Sequence, residues 1–152
     1  MMHDFELSGR RVRLWQRNGE SYEHVLMKAL GFVLFVNNFP ALEIEKNVGL
    51  RYKPDLVAQN LAGEFLFWGE CGANSIRKTA WLLKHAKVEK MVLFKIGQNV
   101  NQLIVQLRTE IPARYRQNQK LSLINFVSNI ANLTVSKKID VVISDWFSVT
   151  QI

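Results

Sequence analysis

Asp55 and Glu70 lie on either side of what reads as a tight chain reversal. Residues 51–57 and 64–71 have the pattern of two strands joined across Gln59-Asn60-Leu61-Ala62-Gly63. Such a hairpin makes near neighbours of an acid before its turn and an acid after it. Adjacent carboxylates repel and raise one pKa unless a cation sits between them, and for hard oxygen donors Mg²⁺ is the usual one. Glu70 follows the apolar Phe65-Leu66-Phe67-Trp68, where an idle charge would be costly. Gly69 and Gly72 leave room beside it for a ligand, and Pro54 favours extended backbone just ahead of Asp55. The plainer alternative is a pair of surface acids on a hairpin.

Lys78 follows on the first turn of the second helix, next to Arg77, from where a cation can fold back over the carboxylates. There it would polarise a water or steady negative charge on a phosphate, or else only neutralise the acids. Glu23 is in phase with Leu26, Met27, Leu30 and Leu34, so it sits at the edge of the inward stripe of the first helix, within reach of the same site. Glu20 more plainly complements the helix dipole. His24 and Lys28 flank the approach, His24 reading more readily as a surface or packing residue.

The elements that must position these groups follow from periodicity. Phe5, Leu7, Val12 and Leu14 alternate around Ser8-Gly9-Arg10 and predict an opening strand or hairpin over 5–16. Tyr22, Leu26, Leu30, Val33 and Val36 recur at helical steps until Asn37-Asn38-Phe39-Pro40 stops them. A short strand is expected over 41–45, with a bend at Gly49. Asn74 or Ser75 caps a second helix running to His85, with Ile76, Ala80, Leu83 and Trp81 as its inner face. Met91-Val92-Leu93-Phe94 has the composition of a strand covered on both sides and follows that helix directly, which predicts parallel pairing with the hairpin. Helical spacing resumes over 100–107, and the basic Arg114-Tyr115-Arg116 comes next. Late strands are expected over 121–126 and 140–147, with a helical turn over 129–133. With no repeat and no Gly, Ser or Pro-rich linker, residues 1–152 read as one α/β (α+β) domain with a mixed central sheet flanked by helices.

Composition removes several classes of function. The longest apolar run, 29–36, falls far short of the roughly 20 residues of a membrane span, and Met-Met-His-Asp-Phe-Glu is not a secretory leader, so a cytoplasmic protein without a membrane partner is expected. Cys71 alone makes no internal disulfide and reads as a small packing residue; three scattered histidines argue against structural zinc. No phosphate-loop spacing is present. The charge of +7, from 20 basic and 13 acidic residues, favours phosphate-rich partners, nucleic acid foremost. Trp15, Trp68, Trp81 and Trp146 are too dispersed in sequence to define a base-stacking platform. A homodimer is compatible with the aromatic strands.

Taken together, Glu20-Ser21-Tyr22-Glu23-His24, Arg51-Tyr52-Lys53-Pro54-Asp55-Leu56, Leu66-Phe67-Trp68-Gly69-Glu70-Cys71-Gly72 and Ile76-Arg77-Lys78 resemble the PD-(D/E)XK nuclease superfamily, more narrowly its YaeQ-like branch, over roughly residues 21–94. The resemblance implies a restriction-endonuclease-like fold with a core in αβββαβ order. It further implies Mg²⁺ (or Mn²⁺) held by Asp55 and Glu70 with Glu23 in support, and hydrolysis of nucleic-acid phosphodiesters. Gly72 stands where the superfamily usually has lysine, so Lys78 would supply the catalytic amine from the helix. Arg51, Lys53, Arg77 and Lys84 would contact flanking phosphates, giving salt-dependent and largely sequence-independent affinity. The competing expectation is a nuclease-like fold without catalysis that binds nucleic acid or protein.

Overall fold

A computed structural model describes residues 1–152. In chain order the strands are β1 (Met2–Leu7), β2 (Arg10–Trp15), β3 (Glu43–Ile44), β4 (Leu56–Gln59), β5 (Phe65–Cys71), β6 (Met91–Ile96), β7 (Leu121–Phe126), β8 (Lys138–Ile139) and β9 (Phe147–Gln151). The helices are α1 (Tyr22–Phe35), α2 (Ile76–Lys84), α3 (Asn101–Glu110) and the single turn α4 (Ile130–Leu133). A six-stranded mixed sheet runs β3-β4-β5-β6-β7-β9, with β5, β6 and β7 mutually parallel; a second sheet of three strands runs β2-β1-β8.

Ser21 starts α1 by accepting the His24 amide on its hydroxyl, an N-cap. Residues 25 to 33 of this helix are buried without a break, which a one-faced surface helix does not show. The cause is layering. Phe5, Leu7, Leu14 and Ile139 of the small sheet close on one side of α1, and Leu56, Phe67, Phe94 and Phe126 of the large sheet close on the other, in one continuous cluster. The reverse face of the large sheet, with Val57, Trp68, Leu93 and Leu123, packs beneath Leu82, Leu83 and Leu107 of α2 and α3. Close approach of α1 to the sheet requires Gly31 and Gly69. A Cβ on Gly31 would fall 2.6 Å from Leu56 Cδ1, and one on Gly69 would fall 3.0 Å from Leu56 Cβ.

The opening hairpin, α1, the short strand at 43–44, α2, the parallel β5–β6 crossover, α3 and β7 agree with the sequence reading. Three expectations are corrected. The strand expected over 51–57 begins only at Leu56, because Pro54 has no N–H to give a ladder and the chain bends ahead of it. Asp55 is nonetheless tied in: its N–H donates to the Gly69 carbonyl (3.2 Å) and its carbonyl accepts from the Glu45 N–H (2.9 Å). On α2 the fully buried side chains are Thr79, Leu82 and Leu83, while Ile76, Ala80 and Trp81 are only partly covered. The Thr79 hydroxyl satisfies itself inside by donating to the Ser75 carbonyl at 3.1 Å and accepting from Asn74 Nδ2 at 2.7 Å. The strand expected over 140–147 is absent. Residues 138–139 pair with β1, Val141 and Ile143 are exposed, Ser144–Trp146 form a 3₁₀ turn, and the last strand is β9, antiparallel to β7. No helix is long and apolar enough to cross a membrane.

Candidate functional site

Strand alternation puts Glu70 on the same side of the large sheet as Trp68, the side that α2 covers. Glu70 is 5 % exposed. Its Oε1 accepts the Trp68 indole N–H at 2.8 Å and lies 2.9 Å from Lys78 Nζ, which leaves Oε2 free of both contacts. Burial pushes the Glu70 carboxyl above its ordinary value, outweighing the opposing bonds from Trp68 and Lys78, and the charge of Asp55 pushes it the same way. The Ser75 hydroxyl accepts the Lys78 N–H at 3.0 Å, so the cap of α2 also fixes where Lys78 begins.

Asp55 stands one step beyond the Leu56–Gly69 pair of the β4–β5 ladder, across from Glu70. Its carboxylate turns toward α1. Oδ2 accepts the Cys71 N–H at 2.8 Å, and Oδ1 is 3.4 Å from His24 Nε2. It opens on a cleft of about 500 Å³ at the start of α1 that no hydrophobic side chain lines, with Glu20, Lys28, Glu45 and Lys53 among its walls. Lys28 is the charged centre of that cleft. Although buried in the middle of α1, it donates to Glu20 Oε1 at 2.7 Å and to Glu45 Oε1.

Glu70 and Lys78 are thus joined at one end of β5, while Asp55 is near enough for its charge to act on Glu70 but turns its carboxylate to the α1 side. Glu23 is not joined to them: it is exposed and lines an adjoining cleft with His24, Met27 and Gly72. Arg51, Lys53, Arg77 and Lys84 are all exposed. No group of three or more His, Cys, Asp or Glu side chains is arranged to hold a metal ion. The two carboxylates suit Mg²⁺ in a more limited sense. This ion is commonly held by one or two carboxylates, with water and substrate phosphate completing its shell, and each acid here keeps an oxygen without a close hydrogen bond.

Gly72 explains its own identity. Its φ is +80°, and a Cβ there would meet His24 Nδ1 at 3.2 Å, so a lysine at this position would be strained. A second amine, besides that of Lys78, reaches this turn from the neighbouring strand. Lys95, one step beyond the Cys71–Phe94 pair of β5 and β6, is 6 % exposed and donates to the Gly72 carbonyl. No carboxylate pairs with it, and burial holds its pKa below the ordinary lysine value. The sequence reading passed over Lys95, although a lone lysine inside the apolar run that ends at Ile96 marks it. It also gave Lys28 only a flanking role and overlooked Glu45.

Lys95 yields a pH prediction. Below its depressed pKa, folding bears the full cost of burying the charge. Between that pKa and 10.5 the unfolded chain binds more protons, so the Lys95 contribution makes stability rise with pH across that window. Lys95→Met is expected to melt within a few degrees of the parent at neutral pH and to flatten this rise, read by thermal melts across the alkaline range.

No protein-family model matches the chain, and no curated protein is matched by its sequence. Solved structures do match. The crystal structure of the YaeQ protein from Xanthomonas axonopodis pv. citri superposes with a TM-score of 0.64 at 18 % identity, over 89 % of this chain and 77 % of that one. The YaeQ protein from Pseudomonas syringae gives a TM-score of 0.60 at 15 % identity, over 87 % and 74 %. The chain therefore has a YaeQ-like fold.

Proposed function

We propose that this YaeQ-like chain is a metal-dependent nuclease of the PD-(D/E)XK kind, cleaving nucleic-acid phosphodiesters at the end of β5. The observation that carries the reading is the nearness of two acids at the end of the β4–β5 ladder: the charge of Asp55 acts on the buried Glu70, which is also touched by an amine from α2. Asp55 and Glu70 would hold Mg²⁺ or Mn²⁺, without Glu23, and the ion would supply Lewis-acid activation of the attacking water and neutralise charge at the phosphate. Lys78 holds the Glu70 carboxylate in place and adds positive charge where the phosphate develops negative charge. Lys95 fixes the Gly72 carbonyl and so the backbone that carries Glu70. Arg51, Lys53, Arg77 and Lys84 draw the flanking phosphates in.

The test is incubation of the purified chain with labelled DNA and RNA in Mg²⁺ or Mn²⁺, with and without chelator, alongside Asp55→Ala and Glu70→Ala. Cleavage that survives in both variants removes the assignment. A second reading, a catalytically silent nucleic-acid binding module, is favoured by Gly72 in the lysine position and by the lack of a three-donor cluster. Lys78→Ala separates the two. For a nuclease it should lower single-turnover cleavage about a hundredfold while shifting the dissociation constant only a few-fold. Equal losses in both would make Lys78 a merely electrostatic contact.

A further inference from the structure

We propose that the outer surface of α2, together with Tyr52 and Tyr115, is a track for single-stranded nucleic acid, whose bases stack on Trp81 and Tyr115 between basic side chains. This deepens the nuclease reading and rests on it for one point only: the track starts at Lys78, beside Glu70, and so would feed a strand toward the carboxylates.

The rings and cations alternate along the surface. Trp81 is partly exposed, meets Tyr52 edge-on with centroids 5.4 Å apart, and has the His85 ring 5.8 Å away. The Arg51 guanidinium lies 5.0 Å from the Tyr52 ring and 5.7 Å from Trp81, and Lys78 Nζ lies 5.2 Å from Tyr52. Past the end of the helix, Tyr115 carries Lys84 at 5.9 Å and Arg114 at 4.7 Å. From Lys78 to His85 the axis rises about 10 Å.

Ordinary surface electrostatics does not account for this arrangement. Arg51, Arg77, Lys84 and Arg114 have no carboxylate partner within ion-pair distance. α2 carries three basic residues and no acid, and two of the three sit in its first turn, where they oppose the helix dipole. Cations alone would serve a duplex, whose phosphates they can reach. Rings gain nothing from phosphates, and in a duplex the base faces are already stacked on one another; only an unpaired strand offers them to Trp81, to Tyr115 and to the plane of Arg51. DNA and RNA strands share this chemistry.

The experiment measures binding of the full chain to labelled oligo-dT, oligo-U and a dA·dT duplex of equal length, at one fixed salt concentration and without metal. Both single strands are expected to bind about tenfold tighter than the duplex. Trp81→Leu and Tyr115→Ala should each weaken single-strand binding about tenfold while leaving duplex affinity and the salt slope unchanged. Lys84→Gln should reduce that slope by about one. Trp81 and Tyr115 both pack partly on the core, Tyr115 from a 3₁₀ turn, so melts accompany both variants and Lys84→Gln, at an exposed side chain, keeps the test open if either fails to fold. Duplex binding as tight as single-strand binding, or parental affinity in the folded aromatic variants, overturns the track. Should Asp55→Asn stop cleavage while the aromatic variants bind normally, the nuclease reading stands and the track falls. Ring-dependent binding by a chain that cleaves nothing leaves the track standing and removes the nuclease.

Discussion

Asp55→Asn and Glu70→Gln are each expected to slow Mg²⁺-dependent phosphodiester cleavage by about a thousandfold, the loss that follows when a metal's Lewis-acid contribution of several kcal/mol is withdrawn. Both exchanges preserve shape. An amide oxygen at position 70 can still accept the Trp68 indole N–H, and one at position 55 can still accept the Cys71 amide, so the fold should survive. Because the two acids act as one unit, the double variant should be little worse than either single one. The pH profile adds a second signature. Burial raises the Glu70 pKa, so cleavage, which needs the ionised form, should have an acid limb displaced above pH 4.5. Stability moves in the opposite sense. The contribution from neutral Glu70 is fully present below pH 4.5 and is lost as pH rises through the raised folded value. Single-turnover rates and melts on the same samples check both limbs. Parental rates in either variant, or rates indifferent to a chelator, would sink the assignment.

The parts of the fold that were legible are those in which pattern and context agree. The strand over 65–71, the capped start of α2 and the apolar strand from Met91 each follow from local turn chemistry, a capping hydroxyl or burial on both faces, although β4 starts only at Leu56 and the cap, open between Asn74 and Ser75, is Ser75. What local pattern cannot carry is the third layer. Nothing in residues 22–35 announces that a second sheet covers the outer side of α1, so its periodicity reads as one apolar stripe, whereas the folded helix is buried all round and takes Lys28 inside with it.

The candidate site divides the same way. The nearness of Asp55 and Glu70 follows from the hairpin, but the turn of the Asp55 carboxylate toward His24 and the Cys71 amide depends on how α1 is seated. Glu23, in phase with the apolar stripe, stays exposed on the cleft wall because it lies in the first turn of α1, ahead of the buried span 25–33. Lys95 reaches Gly72 from another strand, 23 residues away, and linear spacing contains no trace of that contact. Dispersed aromatic residues mislead in the opposite direction. Tyr52, Trp81 and Tyr115 are remote in sequence, yet the crossover through α2 and the turn after α3 lay them along one basic surface.

Lys28→Ala is expected to cost about 3–5 kcal/mol, because deleting one member of a buried ion pair strands the charge of the others. Set against a typical total of about 5–15 kcal/mol, that threatens the fold itself. The Lys28 side chain is 3 % exposed and its ammonium serves Glu20 and Glu45 together, with Asp55 close enough to add to its field. Removing all the charges at once should be far milder: Lys28→Met combined with Glu20→Gln and Glu45→Gln is expected to recover most of the loss, since no uncompensated ion remains. The titration of the cluster has a definite sign. Burial pulls the Lys28 pKa down, but the bonds to Glu20 and Glu45 outweigh it, so the net shift is upward and the stabilisation, complete below pH 10.5, is lost as pH rises through the folded value. Burial pushes Glu20 up, but the bonds from Lys28 and the Arg17 amide outweigh it; its stabilisation is present above pH 4.5 and is lost as pH falls through the lowered value. The parent should therefore lose this contribution at both extremes of pH, and the triple variant should lack both losses. A single Lys28→Ala chain that melts within a degree or two of the parent would mean that solvent, not this ammonium, neutralises the acids of the cleft.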